Sequence, residues 1–378
     1  MTPMTDNPFR TAEHVVGSYF TDRADEVDMV VRAMTGRGRL LVYGPRRMGK
    51  SSILAVSAVR VRSGGGVVIH ADLATAASLV EVADRLLAAV SAVEPWHGRL
   101  VEWARTLSPV VTLGFDELGN PRLGVGLEAR PRGGEAERAL LERVLDRVES
   151  VSARESSPVV VVLDEFQRLS ELGGEGAEWL LRNRMQENRA TSFVCAGSKE
   201  SLIQAMLQPK RAFYAFFEKL HVGAMAPAHL ARWIDERLTG SGVRARGVGA
   251  ALVERVGPRT QDVVQAARTL WFQAALSGRA DGDAVETAIA EIVRNDDTGL
   301  RRTWEYLTPL QQRLLRAVAA GAVELHAQET RQRFELGPSS SVTTALDALT
   351  GRSILVREAG STRFENPFFR EWVRRETG

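Results

Sequence analysis

The chain has 378 residues, more than one compact core normally holds, which indicates two or three domains. Its hydrophobic fraction of 44% is typical of a globular protein. Its formal net charge of +2 argues against indiscriminate nucleic-acid binding. The apolar runs are far shorter than the roughly 20 residues of a membrane span. A single cysteine excludes an internal disulfide, so we expect a cytoplasmic protein in which Cys195 is a small core residue.

Short β-rich runs alternate with helical stretches over residues 1–225. Strands that are apolar throughout and separated by helices favour a parallel sheet covered on both faces. We therefore predict an α/β domain with a parallel sheet, with strands at 39–43, 67–71, 159–163, 192–196 and 220–222 and helices at 50–62 and 78–93.

Residues 110–128 interrupt this rhythm. Apolar residues occur at every second position on either side of Gly119, Asn120 and Pro121, which predicts a β-hairpin that departs from the main sheet. Such a hairpin is more often structural decoration than a contact site.

The remaining chain is predicted to form two further domains. Residues 226–298 are helical throughout and form a lid, with a polar boundary at 295–298. In residues 299–378, Thr308, Pro309 and Gln311 have the spacing of a capping box that begins a helix. Two more helices and two short strands that turn at Gly360 follow, and together they predict a winged helix-turn-helix domain.

A glycine-rich segment between the first predicted strand and its helix matches G-x-x-x-x-G-K-[ST] without a mismatch. The motif predicts that the α/β domain is of the P-loop NTPase type. Glycines let such a loop curl so that its backbone N–H groups point at phosphate oxygens. Lys50 would contact the β- and γ-phosphates, and Ser51 would supply a hydroxyl to Mg²⁺. We predict that ATP with Mg²⁺ binds here, through Gly44, Pro45, Arg46, Arg47, Met48, Gly49, Lys50, Ser51 and Ser52.

Two acidic residues end the apolar strand predicted at 159–163. A carboxylate at the end of a strand beside a phosphate loop can hold Mg²⁺ through its water shell, and we assign this role to Asp164. Glu165 would then orient and deprotonate the attacking water. Without the phosphate loop, the same pair would read equally well as a solvated turn.

Ser198 follows the strand predicted at 192–196. A polar side chain there would lie between Glu165 and the γ-phosphate, where it could position water or sense hydrolysis. The other interpretation is that Ser198 caps the helix predicted at 199–206, and the two roles are compatible.

The combination of GPRRMGKSS, VVLDEFQRL, CAGS and the C-terminal ENPFFREW resembles the archaeal-type ATPases close to the STAND branch of the AAA+ superfamily. Phe20, Arg23 and Glu26 upstream belong to the same pattern. The resemblance spans nearly the whole chain in the order ATPase core, helical lid and winged helix. It implies triphosphate binding by the loop, metal binding by Asp164 and catalysis by Glu165.

The resemblance implies two further contacts and one departure. Residues 16–20 would lie against the adenine, and Arg259 in the lid is a candidate sensor of the γ-phosphate. The family often carries an arginine before its last core strand, where this chain has Phe216. An aromatic ring cannot replace a cation at a phosphate, so we expect turnover that is slow, stimulated by a partner, or dependent on another arginine: Arg182, Arg184 or Arg211.

The sequence is compatible with three functions. The first is an ATPase whose binding and hydrolysis of ATP switch the conformation or assembly of a protein or DNA partner. The second is a nucleotide-gated winged-helix regulator that binds DNA with little or no hydrolysis. The third, a small-molecule kinase, is the weakest because the Asp164–Glu165 pair suits activation of water, which a kinase must exclude.

The candidate recognition helix of the winged helix, SSSVTTALDALT, has no Arg, Lys, Asn or Gln to read bases. Residues 301–378 carry twelve arginines against nine acidic residues, a slight excess of positive charge. These features favour a protein partner or non-specific DNA contact over sequence-specific reading. Tryptophans 271, 304 and 372 are predicted to be packing residues and not base-stacking platforms.

Overall fold

The computed structural model describes residues 6–10, 22–93, 111–115, 121–125, 134–257, 259–358 and 361–377. The chain divides into two compact units. One is Ala12–Gly223, here called the core unit, and the other joins Met1–Thr11 to Ala224–Gly378, here called the second unit.

A five-stranded, fully parallel sheet forms the centre of the core unit. Its strands are β1 Arg39–Tyr43, β2 Val67–Asp72, β5 Val159–Asp164, β6 Thr191–Gly197 and β7 Glu218–His221. They lie in the order β2-β5-β6-β1-β7. The four longer strands confirm the sequence prediction. The fifth begins two residues before the predicted 220–222, and its weak sequence signal follows from its short length and its mostly exposed side chains.

Helices cover both faces of this sheet, so successive strand residues enter two different apolar cores. Val161 and Cys195 belong to one core, and their neighbours Val162 and Val194 belong to the other. Burial raises the pKa of the Cys195 thiol, which confirms it as an unreactive core residue. The helices of the core unit are Ala24–Thr35, Lys50–Ser63, Leu79–Val93, Gly134–Ser152, Gln167–Glu187 and Glu200–Met206.

The predicted hairpin is confirmed in its two strands. β3 (Val111–Phe115) pairs antiparallel with β4 (Pro121–Val125), with Leu113 opposite Leu123. The turn between them lies outside the described residues.

A single apolar core runs through the second unit, from Leu230 in its first helix to Val373 in its last. Trp271 and Trp372 are buried in it, and their indole N–H groups donate to Ser241 and Asp297, both at 2.7 Å. The predicted packing role of these two tryptophans is therefore confirmed, and Trp304 contacts Trp372 at 5.9 Å between ring centroids.

Nine helices of the second unit are described, and the predicted capping box at Thr308 and Gln311 is formed. Their bounds are Pro227–Gly240, Val248–Val256, Thr260–Ser277, Gly282–Asn295, Asp297–Glu305, Pro309–Ala319, Gln328–Arg333, Ser339–Gly351 and Pro367–Thr377.

Two small strand pairs complete the second unit. β8 (Arg244–Ala245) runs parallel to β9 (Arg279–Ala280). β10 (Leu355–Glu358) and β11 (Ser361–Phe364) form the antiparallel wing, whose predicted turn residue Gly360 lies outside the described residues. Within the described part of the chain, none of the helices has the length and apolar character needed to cross a bilayer.

Candidate nucleotide-binding site

The glycine-rich loop begins where β1 ends and follows a path that only glycine allows at two points. Gly44 has a φ of 149°, and a Cβ there would overlap the carbonyl oxygen of Val222. Gly49 has a φ of 95° in the left-handed region. These glycines turn the chain from β1 directly into the helix Lys50–Ser63.

The first turn of that helix presents uncompensated positive charge to the loop. Gly49, at the N-cap, has no side chain to cap the helix, and the first turn of this fully described helix contains no acidic residue. The N–H groups of a helix N-terminus attract anions in such a position. A phosphate group would therefore serve as the cap.

Lys50 lies within the loop and is only 6% exposed. Its ammonium group donates to the backbone carbonyls of Gly44, at 2.8 Å, and Pro45, at 2.6 Å. Burial lowers the pKa of Lys50 to about 8, against the opposing effect of the nearby carboxylates. A phosphate oxygen would compete with these carbonyls for the same donor hydrogens and would compensate the buried charge.

Asp164 lies at the end of β5, at the same end of the sheet as the loop, because β5, β6 and β1 run parallel. The hydroxyl of Ser51 donates to Asp164 Oδ2 at 2.9 Å, across 113 residues of sequence. Asp164 Oδ1 accepts the backbone N–H of Glu165 at 2.9 Å. The structure thus brings together the two residues predicted to bind Mg²⁺, and their hydroxyl and carboxylate oxygens suit a hard divalent cation.

Glu165 and Ser198 are also brought together, since they follow the adjacent strands β5 and β6. The hydroxyl of Ser198 donates to Glu165 Oε2 at 2.9 Å. Glu165 has a φ of 51°, an unfavourable value for a residue with a side chain, and the next N–H, of Phe166, donates to the carbonyl of Ala196 at 2.8 Å. This turn directs Glu165 to the end of β6.

Ser198 is bonded to the site and does not cap the following helix. That helix, Glu200–Met206, has Lys199 at its N-cap and lacks a side-chain capping bond in the described structure. The guanidinium of Arg46, in the phosphate loop, approaches Ser198 Oγ at 3.4 Å. Ser198 therefore lies between the loop and Glu165.

Sequence reasoning assigned no role to Arg23 or Gln167, which support this site. Arg23, only 6% exposed, donates to the carbonyls of Met48 at 3.3 Å and Gly223 at 2.5 Å. The side-chain amide of Gln167 donates to Glu165 Oε2. Both residues belong to the motifs that carry the family resemblance, and that was the available signal.

Two predicted contributors are not placed at the loop. Arg259 belongs to the second unit, where it is 3% exposed and pairs with Glu365 and, at 3.8 Å, with Asp262. Residues 16–20, expected against the adenine, lie outside the described residues. Both assignments remain predictions.

Phe216 lies near the start of β1, whereas the phosphate loop follows the end of that strand. The guanidinium groups of Arg39 and Arg182 lie over its ring, 4.8 and 5.1 Å from the centroid. Arg39 begins β1 and the loop follows the end of β1, so about 13 Å of strand separates them. The other two candidate arginines are paired with acidic residues, Arg184 with Glu142 and Arg211 with Glu178.

Two sequence families match this chain. Residues 20–194 match the AAA ATPase domain, and residues 299–375 match a probable winged helix domain. A search of curated protein sequences gave no significant match.

Several solved structures share the fold over nearly the whole chain. A Walker-type ATPase of Pyrococcus abyssi aligns at 17% identity with a TM-score of 0.62, covering 94% of this chain and 96% of that one. The ORC2 protein of Aeropyrum pernix, solved in ADPNP and ADP complexes, aligns at 15% identity with a TM-score of 0.60 and covers 94% of both chains.

The ORC1 protein of Aeropyrum pernix, solved in complex with DNA, aligns at 16% identity with a TM-score of 0.54, covering 98% of this chain and 97% of that one. At these identities the structural likeness establishes the fold alone. The predicted fold class and the resemblance to archaeal-type P-loop proteins with a C-terminal winged helix agree with these matches.

Proposed function

We propose that this chain, which carries an AAA ATPase domain followed by a winged helix domain, hydrolyses ATP to ADP and phosphate and uses the reaction as a conformational or assembly switch. The observation that carries this proposal is the pair of contacts Ser51–Asp164 and Ser198–Glu165 beside the buried Lys50. They support a cation-binding pair and a catalytic base beside the phosphate-binding loop.

Each residue of the site has a distinct task in the proposed reaction. Lys50 and the N-terminus of its helix bind the phosphates, while Ser51 and Asp164 would hold Mg²⁺, which offsets phosphate charge when bound. Glu165 accepts a proton from the attacking water as the water oxygen bonds to the γ-phosphorus. The bond from that phosphorus to the β-γ bridging oxygen breaks, and ADP leaves.

The switch would use the helical lid and the winged helix. Closure of the lid over bound ATP and its release after hydrolysis would move a protein or DNA partner. In this proposal Arg259 senses the γ-phosphate, which requires it to leave its pairing with Glu365 and Asp262. The same proposal relates the chain to the STAND branch of the AAA+ superfamily. It also includes turnover that is slow or stimulated by a partner, because Phe216 replaces the expected arginine.

Phosphate release from the purified protein tests this function. The wild type is expected to release phosphate in the presence of ATP and Mg²⁺. Glu165→Gln should keep ATP binding and lose release, whereas Lys50→Ala should lose both. If the wild type binds ATP but releases no phosphate under any condition, the ATPase proposal is wrong.

A nucleotide-gated DNA-binding regulator is the second candidate. It is supported by the winged helix match and by the ORC1 protein of the same fold that was solved with DNA. A salt titration of duplex binding, with and without ATP, tests it. Affinity that falls steeply with salt and depends on the nucleotide would support it, and an absent or flat response would remove DNA as a partner.

A further inference from the structure

We propose that Gln167 is a positioning residue for Glu165, which it holds against Ser198 so that Glu165 Oε1 is left to accept the proton of water. This inference rests on the proposed ATPase function. Gln167 would not contact ATP or water, and would act through Glu165.

The first support is that two donors converge on one carboxylate oxygen. The amide nitrogen of Gln167 and the hydroxyl of Ser198 both donate to Glu165 Oε2. A glutamate side chain has three rotatable bonds, and two bonds to one oxygen restrict them together. A base held in a single orientation contributes more to catalysis than one that must be ordered during the reaction.

The second support is that Gln167 itself is held in place. It is 1% exposed and begins the helix Gln167–Glu187. Its side chain lies against β6, so that a Cβ added to Gly197 would come within 2.5 Å of the Gln167 amide oxygen. The residue is thus confined between the ends of β5 and β6.

The orientation of the amide follows from the charge of its partner. The Gln167 amide oxygen is buried without a hydrogen-bond partner among the described residues. Rotating the amide by half a turn would place this oxygen against the carboxylate of Glu165. Gln167 therefore donates a hydrogen bond to Glu165 while its own amide oxygen accepts none from the described residues. A buried oxygen in this state lowers the stability of the fold.

A second pair in the chain shows that the bond alone does not identify a positioning residue. Gln273 donates in the same way to Glu291, and its amide oxygen is also buried without a partner. That pair joins two helices of the second unit. What distinguishes Gln167 is that its acceptor is Glu165, which is next to Asp164 in the chain and also accepts a hydrogen bond from Ser198.

The two pairs supply a matched test. Gln167→Leu removes the donor at nearly constant size, and we expect kcat for phosphate release to fall about 10- to 100-fold. The dissociation constant for ATP with Mg²⁺ should change less than about twofold, since Lys50, Ser51 and Asp164 are untouched. Gln273→Leu removes an equivalent bond and is expected to leave kcat unchanged.

Two further variants separate positioning from simple packing. Gln167→Glu keeps the shape but replaces the donor by an acceptor, and should lose as much kcat as Gln167→Leu. Gly197→Ala leaves Gln167 chemically intact but fills the space of its amide, and should also lower kcat. Because Gln167 and Ser198 act on one oxygen, Gln167→Leu combined with Ser198→Ala should lose less than the product of the single effects.

Three outcomes overturn the inference, and melting temperatures measured on every variant identify any that fail to fold. An active wild type with unchanged kcat in a folded Gln167→Leu variant excludes positioning while the ATPase proposal stands. Loss of ATP affinity in parallel with kcat would show a structural role for Gln167. A wild type without phosphate release, equal to Lys50→Ala, removes the ATPase proposal and this inference together.

Discussion

Two buried polar clusters, one in each unit, differ in what their charged groups are bonded to. In the core unit, Lys50 donates to backbone carbonyls, and Asp164 and Glu165 accept from neutral hydroxyl, amide and backbone donors. In the second unit, Arg259 pairs directly with the carboxylates of Glu365 and Asp262.

The two arrangements predict different effects of substitution. Charges bonded to neutral groups keep much of their field and attract a ligand of opposite sign. Charges bonded to one another are already compensated, and in that arrangement their main effect is on stability. We therefore expect substitutions in the core-unit cluster to act mainly on nucleotide chemistry. Substitution of Arg259 should act first on folding, in addition to the loss of the γ-phosphate sensing proposed above.

The largest expected effect is on folding, from Arg259→Ala. Removing this guanidinium leaves the buried carboxylate of Asp262 and the partly buried one of Glu365 without their cation. We expect a loss of about 3–5 kcal/mol in the free energy of unfolding, measured by urea denaturation. Arg301→Ala, which removes an exposed arginine paired with Asp297 and Glu376, is the control and should cost far less than Arg259→Ala. Equal losses from the two variants would break the comparison between the clusters.

The second effect is a pH-dependent cost of burying Lys50. Its pKa is about 8 in the folded chain, against 10.5 for a lysine in water, so the unfolded chain binds more protons between these pH values. The free energy of unfolding therefore rises with pH through this window. We expect Lys50→Met to be more stable than the wild type by about 3 kcal/mol below pH 8, with the advantage vanishing near pH 10.5.

Denaturation of both proteins from pH 7 to 10.5 without nucleotide measures this difference. Subtracting the variant's free energy of unfolding from that of the wild type cancels the contributions of the other titrating groups. A difference that stays constant with pH would show that the buried ammonium is fully compensated by its surroundings, as Arg259 is.

The smallest effect concerns the capping box of the helix Pro309–Ala319. Thr308→Ala removes the side chain that accepts the N–H of Gln311 at 3.3 Å. We expect a loss of about 1 kcal/mol in unfolding free energy and no change in ATP affinity, measured by calorimetry. Thr303→Ala, an exposed threonine inside a helix, is the matched control and should cost nothing. A change in ATP affinity in Thr308→Ala would show that the two properties are not separable.

Features encoded by neighbouring residues could be predicted from the sequence. The phosphate loop, the strands of the parallel sheet, the hairpin strands and the Thr308 capping box all depend on residues within one short segment. The weakest predicted strand was β7, which is short and lies at the sheet edge. Most of its side chains are exposed, so it lacks the continuous apolar run that marks the four longer strands.

Partners that are distant in sequence could be predicted only where motifs placed both residues at the ends of neighbouring strands, as for Ser198 and Glu165. The contact of Arg23 with Gly223 spans 200 residues and had no such signal. The family resemblance implied a phosphate sensor at Arg259, which stays a prediction, but nothing in the sequence indicated its pairing with Glu365 in the winged helix region. Gln167 was visible as part of DEFQ, but nothing in the sequence pointed its amide at Glu165.

The sequence alone determined that this chain has a P-loop, a parallel sheet and a C-terminal winged helix, because each follows from backbone geometry and apolar periodicity within a segment. The tertiary structure decided which polar groups meet. Asp164, Glu165 and Ser198 converge because β5 and β6 are adjacent and in register, and strand order is set by the packing of the whole sheet between its two apolar cores. For the same reason, only the folded chain shows Lys50 bonded to carbonyls and Arg259 bonded to carboxylates.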